Sequence, residues 1–150
     1  MSVTVIPLLV VRESDAAIDF YVRALGAVKV TRYTAPDGAV VHADIRVGDA
    51  LVALKDEDHV DRSPLTLGGT SVVLTLDVPD ADAAGEALRS AGATTVFEIN
   101  DMPYGYRQGR FTDPFGHQWI VNQAIADLSH EEAQRRLDDM SARNGRIRTT

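Results

Sequence analysis

Asp15-Ala16-Ala17 opens a segment that closes on Ala24-Leu25-Gly26-Ala27, and Asp82-Ala83-Ala84 opens a shorter one that closes on Ser90-Ala91-Gly92-Ala93. Each follows a run rich in β-branched residues, 3–11 and then 71–78, and each precedes two or three further strand-like runs. The copies lie about 67 residues apart, so the repeat fills most of the chain. Two copies are too few for a solenoid, which needs three or more units to bury a continuous core. The reading is a two-module domain with a cleft where the modules meet.

Working outward from the first copy, residues 3–11 are apolar enough for a strand buried on both faces. Ser14 or Asp15 is placed to cap the following helix, because a short side-chain oxygen accepts from the free amides of a first turn. Ala17, Phe20, Tyr21, Ala24 and Leu25 recur at helical spacing as its buried stripe, and Gly26 stands where a left-handed cap belongs. Strands are expected at 28–33, 40–47 and 50–54, with Ala35-Pro36-Asp37-Gly38 and Gly48-Asp49 as turns. The order is βαβββ. The second copy repeats it with strand 71–78, helix 82–91 and strands at 94–99, 107–112 and 117–123. Asp113-Pro114-Phe115-Gly116 makes the last turn, Pro preset for the corner and Gly free to take positive φ.

The expected organisation is a single α+β domain over 1–125: module one about 1–55, linker 56–69, module two about 70–125. The two βαβββ modules form a curved mixed sheet around a cleft. A C-terminal helix and tail occupy 126–150. Ser129-His130-Glu131-Glu132 reads as a capping box opening that helix, with Leu128 and Ala133 as its staple. Ala133, Leu137 and Met140 form its apolar stripe. Arg143, Arg146 and Arg148 make a basic tail, read as a solvated end.

The formal charge of −7 argues against general nucleic-acid binding, which draws on Lys and Arg neutralising phosphates. Part of the acidity sits in Lys55-Asp56-Glu57-Asp58-His59-Val60-Asp61, read as a solvated linker. No apolar run reaches the length of a membrane span, and no signal-peptide pattern opens the chain. The absence of cysteine removes disulfides, thiolate metal sites and cysteine nucleophiles together. A cytoplasmic location is the expectation.

Candidate site residues come from two places. Along 40–47, Val41, Ala43, Ile45 and Val47 are expected to face the helices, while Val40, His42, Asp44 and Arg46 face away. A face bearing His42 and Asp44 is either solvated or lines a polar cavity. The stretch 101–119 holds two of the four Tyr, two of the four Phe, the only Trp and two Arg. Flat rings with a few polar groups suit an organic-ligand pocket. Phe111 and Phe115 read as core; Tyr104, Arg107 and Trp119 suit pocket and core equally. There is no phosphate-binding loop, nucleophile elbow or HExxH pattern, and the four His residues are dispersed.

These residues carry a resemblance. Ile6-Pro7-Leu8, Phe20-Tyr21 followed by Leu25-Gly26-Ala27, His42-Ala43-Asp44 and Asp113-Pro114-Phe115-Gly116-His117-Gln118-Trp119 fall in order within paired βαβββ modules. The ordered set, over about residues 3–125, resembles the vicinal oxygen chelate superfamily of glyoxalase I, bleomycin-resistance proteins, fosfomycin-resistance enzymes and extradiol dioxygenases. Within it the chain is similar to the PhnB-like branch. The resemblance implies a paired-module fold and a homodimer; function does not follow from fold.

Metal-dependent members of that superfamily place His, Glu or Gln on the first and last strand of each module, four side chains converging on one divalent ion. The matching positions here are Ile6 or Pro7, Ser71 or Val72, Val52 or Ala53, and Ile120. Aliphatic side chains and Pro offer no donor, and Ser is a poor one. No metal and no other cofactor is therefore expected. The function expected is that of a metal-free small-molecule binding protein of bleomycin-resistance type, sequestering a flat organic ligand, an antibiotic for example, in the cleft. His42, Asp44, Tyr104, Arg107 and Trp119 would contact it, and the partners expected are that ligand and a second copy of the chain. The alternative is a glyoxalase-fold enzyme, a lyase, isomerase or transferase, with His42 as acid or base or with a relocated metal site. A domain whose cleft has no ligand of note is the third reading.

Overall fold

A computed structural model describes residues 2–147, with side chains through residue 145. Module one runs β1 (Leu8–Val11), α1 (Ser14–Leu25), β2 (Val28–Thr34), β3 (Val40–Val47) and β4 (Ala50–Asp56). A one-turn helix, α2 (Pro64–Leu67), interrupts the linker. Module two runs β5 (Val73–Asp77), α3 (Ala81–Ala91), β6 (Thr94–Asp101), β7 (Tyr106–Thr112) and β8 (Gln118–Ala124), and α4 (His130–Ile147) follows. The strand orders are β1-β4-β3-β2 and β5-β8-β7-β6, the same permutation twice. In each sheet the first and last strands pair parallel and the rest antiparallel. The mixed sheet thus comes as two four-stranded halves.

Packing and side-chain bonds, rather than a strand ladder, make the seam between the halves. Helices α1 and α3 lie against each other. Tyr21 of α1 meets Trp119 of β8 edge-on at 5.5 Å between centroids. Both donate to the Asp113 carboxylate, the Tyr21 hydroxyl at 2.5 Å and the Trp119 indole N–H at 2.9 Å. The His117 ring bonds the Val10 carbonyl at 2.9 Å across the same seam. Phe20, Tyr21, Phe111, Trp119 and Val121 are all buried in one core between helices and sheets.

Local chemistry explains most boundaries. Gly26 closes α1 at φ 65°, and Gly116 turns the chain into β8 at φ 91°, both as expected from a residue without Cβ. Asp80 caps α3 by accepting from Ala83 N. Ser129 Oγ accepts from Glu132 N, giving half of the expected capping box. The Glu132 carboxylate, however, turns to Arg135 and Arg136 on the next turn. Ala133, Leu137 and Met140 are half-buried, as a stripe should be. Of the basic tail, Arg143 is exposed; the Arg146 side chain and Arg148 lie outside the described residues.

Four local expectations are corrected. Only residues 8–11 of the first run form a strand; Val3 and Val5 are 89% and 87% exposed. The reason is that β1 is an edge strand paired to β4 alone, and Pro7, without an N–H, offers only its carbonyl, to Ala53 N. The α1 cap comes from neither Ser14 nor Asp15. Asp56, at the end of β4, accepts both Ser14 N and Val40 N, so a distant carboxylate satisfies the helix end. In β3 the alternation holds from His42 onward, but a register shift opposite Tyr33 and Thr34 buries Val40 and exposes Val41. The acidic linker is built rather than merely solvated. Lys55 Nζ lies 2.7 Å from both Asp58 and Asp61, and Glu57 accepts from Ser63 and Thr66.

Candidate functional site

The face of each sheet away from the helices is read off the strand pairing. In module two, Phe111 and Trp119 are opposite and buried, as are Gly109 and Val121. Their neighbours therefore form the other face. Two rows cross it. One is Phe97–Arg110–Ile120–Thr75, and the other is Asn100–Gln108–Asn122–Asp77. Register shifts in β6 on either side of Phe97 bring its ring to this face.

A cavity of about 410 Å³ lies over these rows, walled by Phe97, Met102, Tyr104, Gln108, Arg110 and Ile120. Its polar side is a chain of side-chain bonds. Tyr104 Oη donates to Gln108 Oε1 at 2.6 Å, Gln108 Nε2 to Asn122 Oδ1 at 2.6 Å, and Asn122 Nδ2 to Asp77 Oδ1 at 2.8 Å. Burial pushes the Tyr104 phenol up from its ordinary pKa, so it stays a donor. Arg110 lies over the Phe97 ring, its guanidinium carbon 5.5 Å from the centroid. An apolar, partly aromatic wall with a short polar chain and one cation is the composition of an organic-ligand site.

Module one has the corresponding open face with different chemistry. His42 Nε2 lies 3.0 Å from both carboxylate oxygens of Asp44, and Thr31 Oγ1 donates to Asp44 at 2.6 Å. The Thr31 bond, assisted by His42, holds the Asp44 carboxyl below its ordinary pKa. The Tyr33 ring stands 6.5 Å from the His42 ring. The His42 side chain is 43% exposed and lies beside a titratable group without being enclosed.

The five expected contact residues therefore divide. His42 and Asp44 stand together on module one. Tyr104 lines the module-two cavity. Arg107 is on the helix side, its guanidinium between Asp82 of α3 and Asp101, which hold it above the ordinary arginine range. Trp119 is 3% exposed in the core, with its N–H on Asp113. The cavity is built from one module rather than at the seam. Gln108 and Arg110, which also line the cavity, and Asn122, bonded to Gln108, were not among the five. The signal was available: alternation applied to 106–112 puts Gly109 and Phe111 on one face and Gln108 and Arg110 on the other.

The divalent-metal chemistry implied by the fold family does not fit these residues. On the open faces, first and last strands contribute Leu8, Ala53, Thr75 and Ile120 in the rows of Asp44 and Arg110. Three are aliphatic and the fourth is a hydroxyl, and Arg110 adds a positive charge beside the last pair. Among the described residues no three His, Cys, Asp or Glu side chains converge.

Two mixed four-stranded sheets in identical order, each with its helix on one face and an open face on the other, define a paired-βαβββ fold. The chain belongs to the Glyoxalase/Bleomycin resistance protein/Dioxygenase superfamily, whose family model matches residues 4–121. It is 39% identical over 133 residues to an uncharacterized protein, Mb0911c, of Mycobacterium bovis, covering 85% of this chain and 88% of that one. Among solved structures it is similar to TioX from Micromonospora sp. ML1, with TM-score 0.64, 26% identity, and 85% of this chain and 100% of that chain covered. The fosfomycin resistance protein FosX from Listeria monocytogenes shares the fold at TM-score 0.64 and 12% identity, over 89% of this chain and 98% of its own. No helix among the described residues is long and apolar enough to cross a membrane.

Proposed function

We propose that the protein is a metal-free small-molecule binding protein of the bleomycin-resistance type, holding a flat organic ligand against the open face of module two and working as a homodimer in the cytoplasm. The observation that carries this reading is the cavity itself, where Phe97, Met102 and Ile120 offer apolar surface beside the Tyr104–Gln108–Asn122 chain. Its titratable lining is Tyr104, Arg110 and Glu98. The Tyr104 phenol stays protonated, and Glu98 is paired with Arg89. Such a lining holds a ligand more readily than it moves protons. The second copy is supported by apolar groups left in water on both open faces, Leu8, Tyr33 and Phe97 at 49%, 59% and 62% exposure.

A thermal-shift screen of planar aromatic compounds, antibiotics included, tests the binding reading. A ligand at 100 times its Kd stabilises the native state by about 2.7 kcal/mol, a visible rise in Tm. The Phe97→Ala variant is expected to lose that rise. Hits indifferent to Phe97→Ala, or a purified protein holding about one divalent ion per chain by elemental analysis, would overturn it.

One observation favours a second reading, an enzyme of this fold. The Asp44 carboxylate orients the His42 ring through Nε2 and leaves Nδ1 free to exchange a proton with a substrate. Conversion of a bound compound, followed by mass spectrometry and lost in His42→Gln, would establish it over simple binding.

A further inference from the structure

Arg110 lines the module-two cavity with no carboxylate within ion-pair distance. It lies opposite Phe97 on one side and Ile120 on the other, so its side chain rises from the open face between two apolar neighbours. Its buried Nε–H has no hydrogen-bond partner, and its nearest polar contact is Gln118 Oε1, 3.5 Å from Nη1. Five described arginines have no carboxylate within ion-pair distance: Arg23, Arg46, Arg62, Arg110 and Arg143. The other four are exposed, where water compensates the charge; Arg110 alone of the five is half-buried. A cation partly withdrawn from water with a donor left over is a standing cost to the fold.

The neighbouring groups do not remove that cost. Glu98 borders the same cavity, but its side chain is 72% exposed and pairs with Arg89 at 3.4 Å. Gln108 and Asn122 spend their amides on each other, on Tyr104 and on Asp77. Of the cavity's other polar groups only the Asn100 amide, exposed at the rim, has no side-chain bond among the described residues, and the guanidinium is the one charge that remains for a ligand. The guanidinium lies over the Phe97 ring, and its planar fork of donors favours a planar, two-oxygen anion over a point charge.

We propose that the module-two cavity selects a planar organic acid, with the carboxylate on the Arg110 guanidinium and the ring against Phe97, Met102 and Ile120. This rests on the reading of the cavity as the ligand site, and it adds the ligand's charge and the residue that chooses it. Binding would supply the missing counter-ion, so the acid gains a charge-assisted pair that its neutral isostere cannot make.

Naphthalene carboxylate and naphthalene carboxamide, alike in shape and different in charge, are the probes. Each is titrated into the nitrogen-labelled full chain and followed by NMR, including the Arg110 Nε–H signal that burial protects from exchange. The acid is expected to bind about tenfold or more tightly than the amide and to move the Arg110 Nε–H and the Phe97 and Tyr104 amides. In Arg110→Gln the preference for the acid over the amide should vanish. Equal affinities in the unaltered protein, with cavity signals moving for both, would overturn selection by charge and leave the cavity standing as a ligand site. No movement of cavity signals with either compound would overturn both. Should Arg110→Gln fold poorly, Arg110→Lys keeps the charge but loses the fork; retention of the full preference there would overturn the role given to the guanidinium.

Discussion

At the scale of single residues, Asp113 is the group on which the two modules are tied. Its carboxylate is 3% exposed and accepts four bonds: Tyr21 Oη and Trp119 Nε1 on one oxygen, Phe115 N and His117 N on the other. Burial, and then the Asp113 charge, push the Tyr21 phenol well above its ordinary value of 10.0. Below pH ~10 the phenol is protonated in folded and unfolded chains alike, and its contribution to stability is fully present. Above that pH the unfolded chain releases the proton first, so stability falls as pH rises toward the folded-state value. Tyr21→Phe leaves the buried carboxylate one donor short and is expected to cost about 1–3 kcal/mol at neutral pH. It should also flatten the alkaline loss of stability. Urea unfolding at pH 7 and across pH 9–11 measures both, and an unchanged alkaline slope would remove Tyr21 as its source. Trp119→Ala, by the same packing, is expected to cost roughly 3–5 kcal/mol of stability, with ligand affinity of the folded protein unchanged.

At the scale of elements, the repeat has kept its geometry and exchanged its chemistry. Thr31–Asp44–Ala53 in module one and Phe97–Arg110–Ile120 in module two are the same cross-strand row, one carrying an acid and the other a base. The helix side shows a matching exchange of volume. Ile18 and Ile45 are both buried in module one, and the corresponding positions in module two are Gly85 and Phe111. A Cβ on Gly85 would come within 2.5 Å of Ile99 Cδ1 and 3.0 Å of Phe111 Cζ, so the missing side chain is what lets α3 settle on the larger ring. Gly85→Ala gains about 1 kcal/mol of helix propensity and loses about 1–3 kcal/mol to overpacking. A net loss of stability is expected, with partial rescue in the double variant with Ile99→Val, which removes the closest atom. A higher urea midpoint for Gly85→Ala alone would show that the interior yields more easily than its packing implies.

At the scale of the whole molecule, each module covers one face of its sheet with a helix and leaves the other bare. Those bare faces carry the cavity, the His42–Asp44 pair and exposed Leu8, Tyr33 and Phe97. A second copy that covers apolar groups on these faces is expected, and light scattering should give twice the 16.3 kDa chain mass. A mass of one chain across a wide concentration range would rule out the dimer. If the dimer forms over the cavity, Phe97→Ala should weaken association as well as ligand binding; a loss of binding alone would place the interface elsewhere.

The sequence by itself determined the repeat, the βαβββ order, the stripe of α1, the Gly26 and Gly116 turns and the shared face of His42 and Asp44. The repeat shows as two copies of one pattern, and the rest follow from spacing within a few residues, where helical and strand periods are fixed by backbone geometry. Arg110 and Gln108 were legible by the same alternation, since Phe111 two positions from Gly109 marks the opposite face. What only the tertiary structure decided is which partner each side chain meets. Arg107 is consumed by Asp82, 25 residues away, and Tyr21 by Asp113, 92 residues away, while Arg110 is left over. Asp56 rather than Ser14 or Asp15 serves α1 because β4 ends beside the helix start. Trp119 belongs to the core because β8 pairs it with Phe111 under the helices, where α1 brings the Tyr21 ring from nearly a hundred residues away against the indole. Charge and burial are properties of the neighbours a group acquires in space, and a one-dimensional spacing carries no information on which of many acids or rings will arrive.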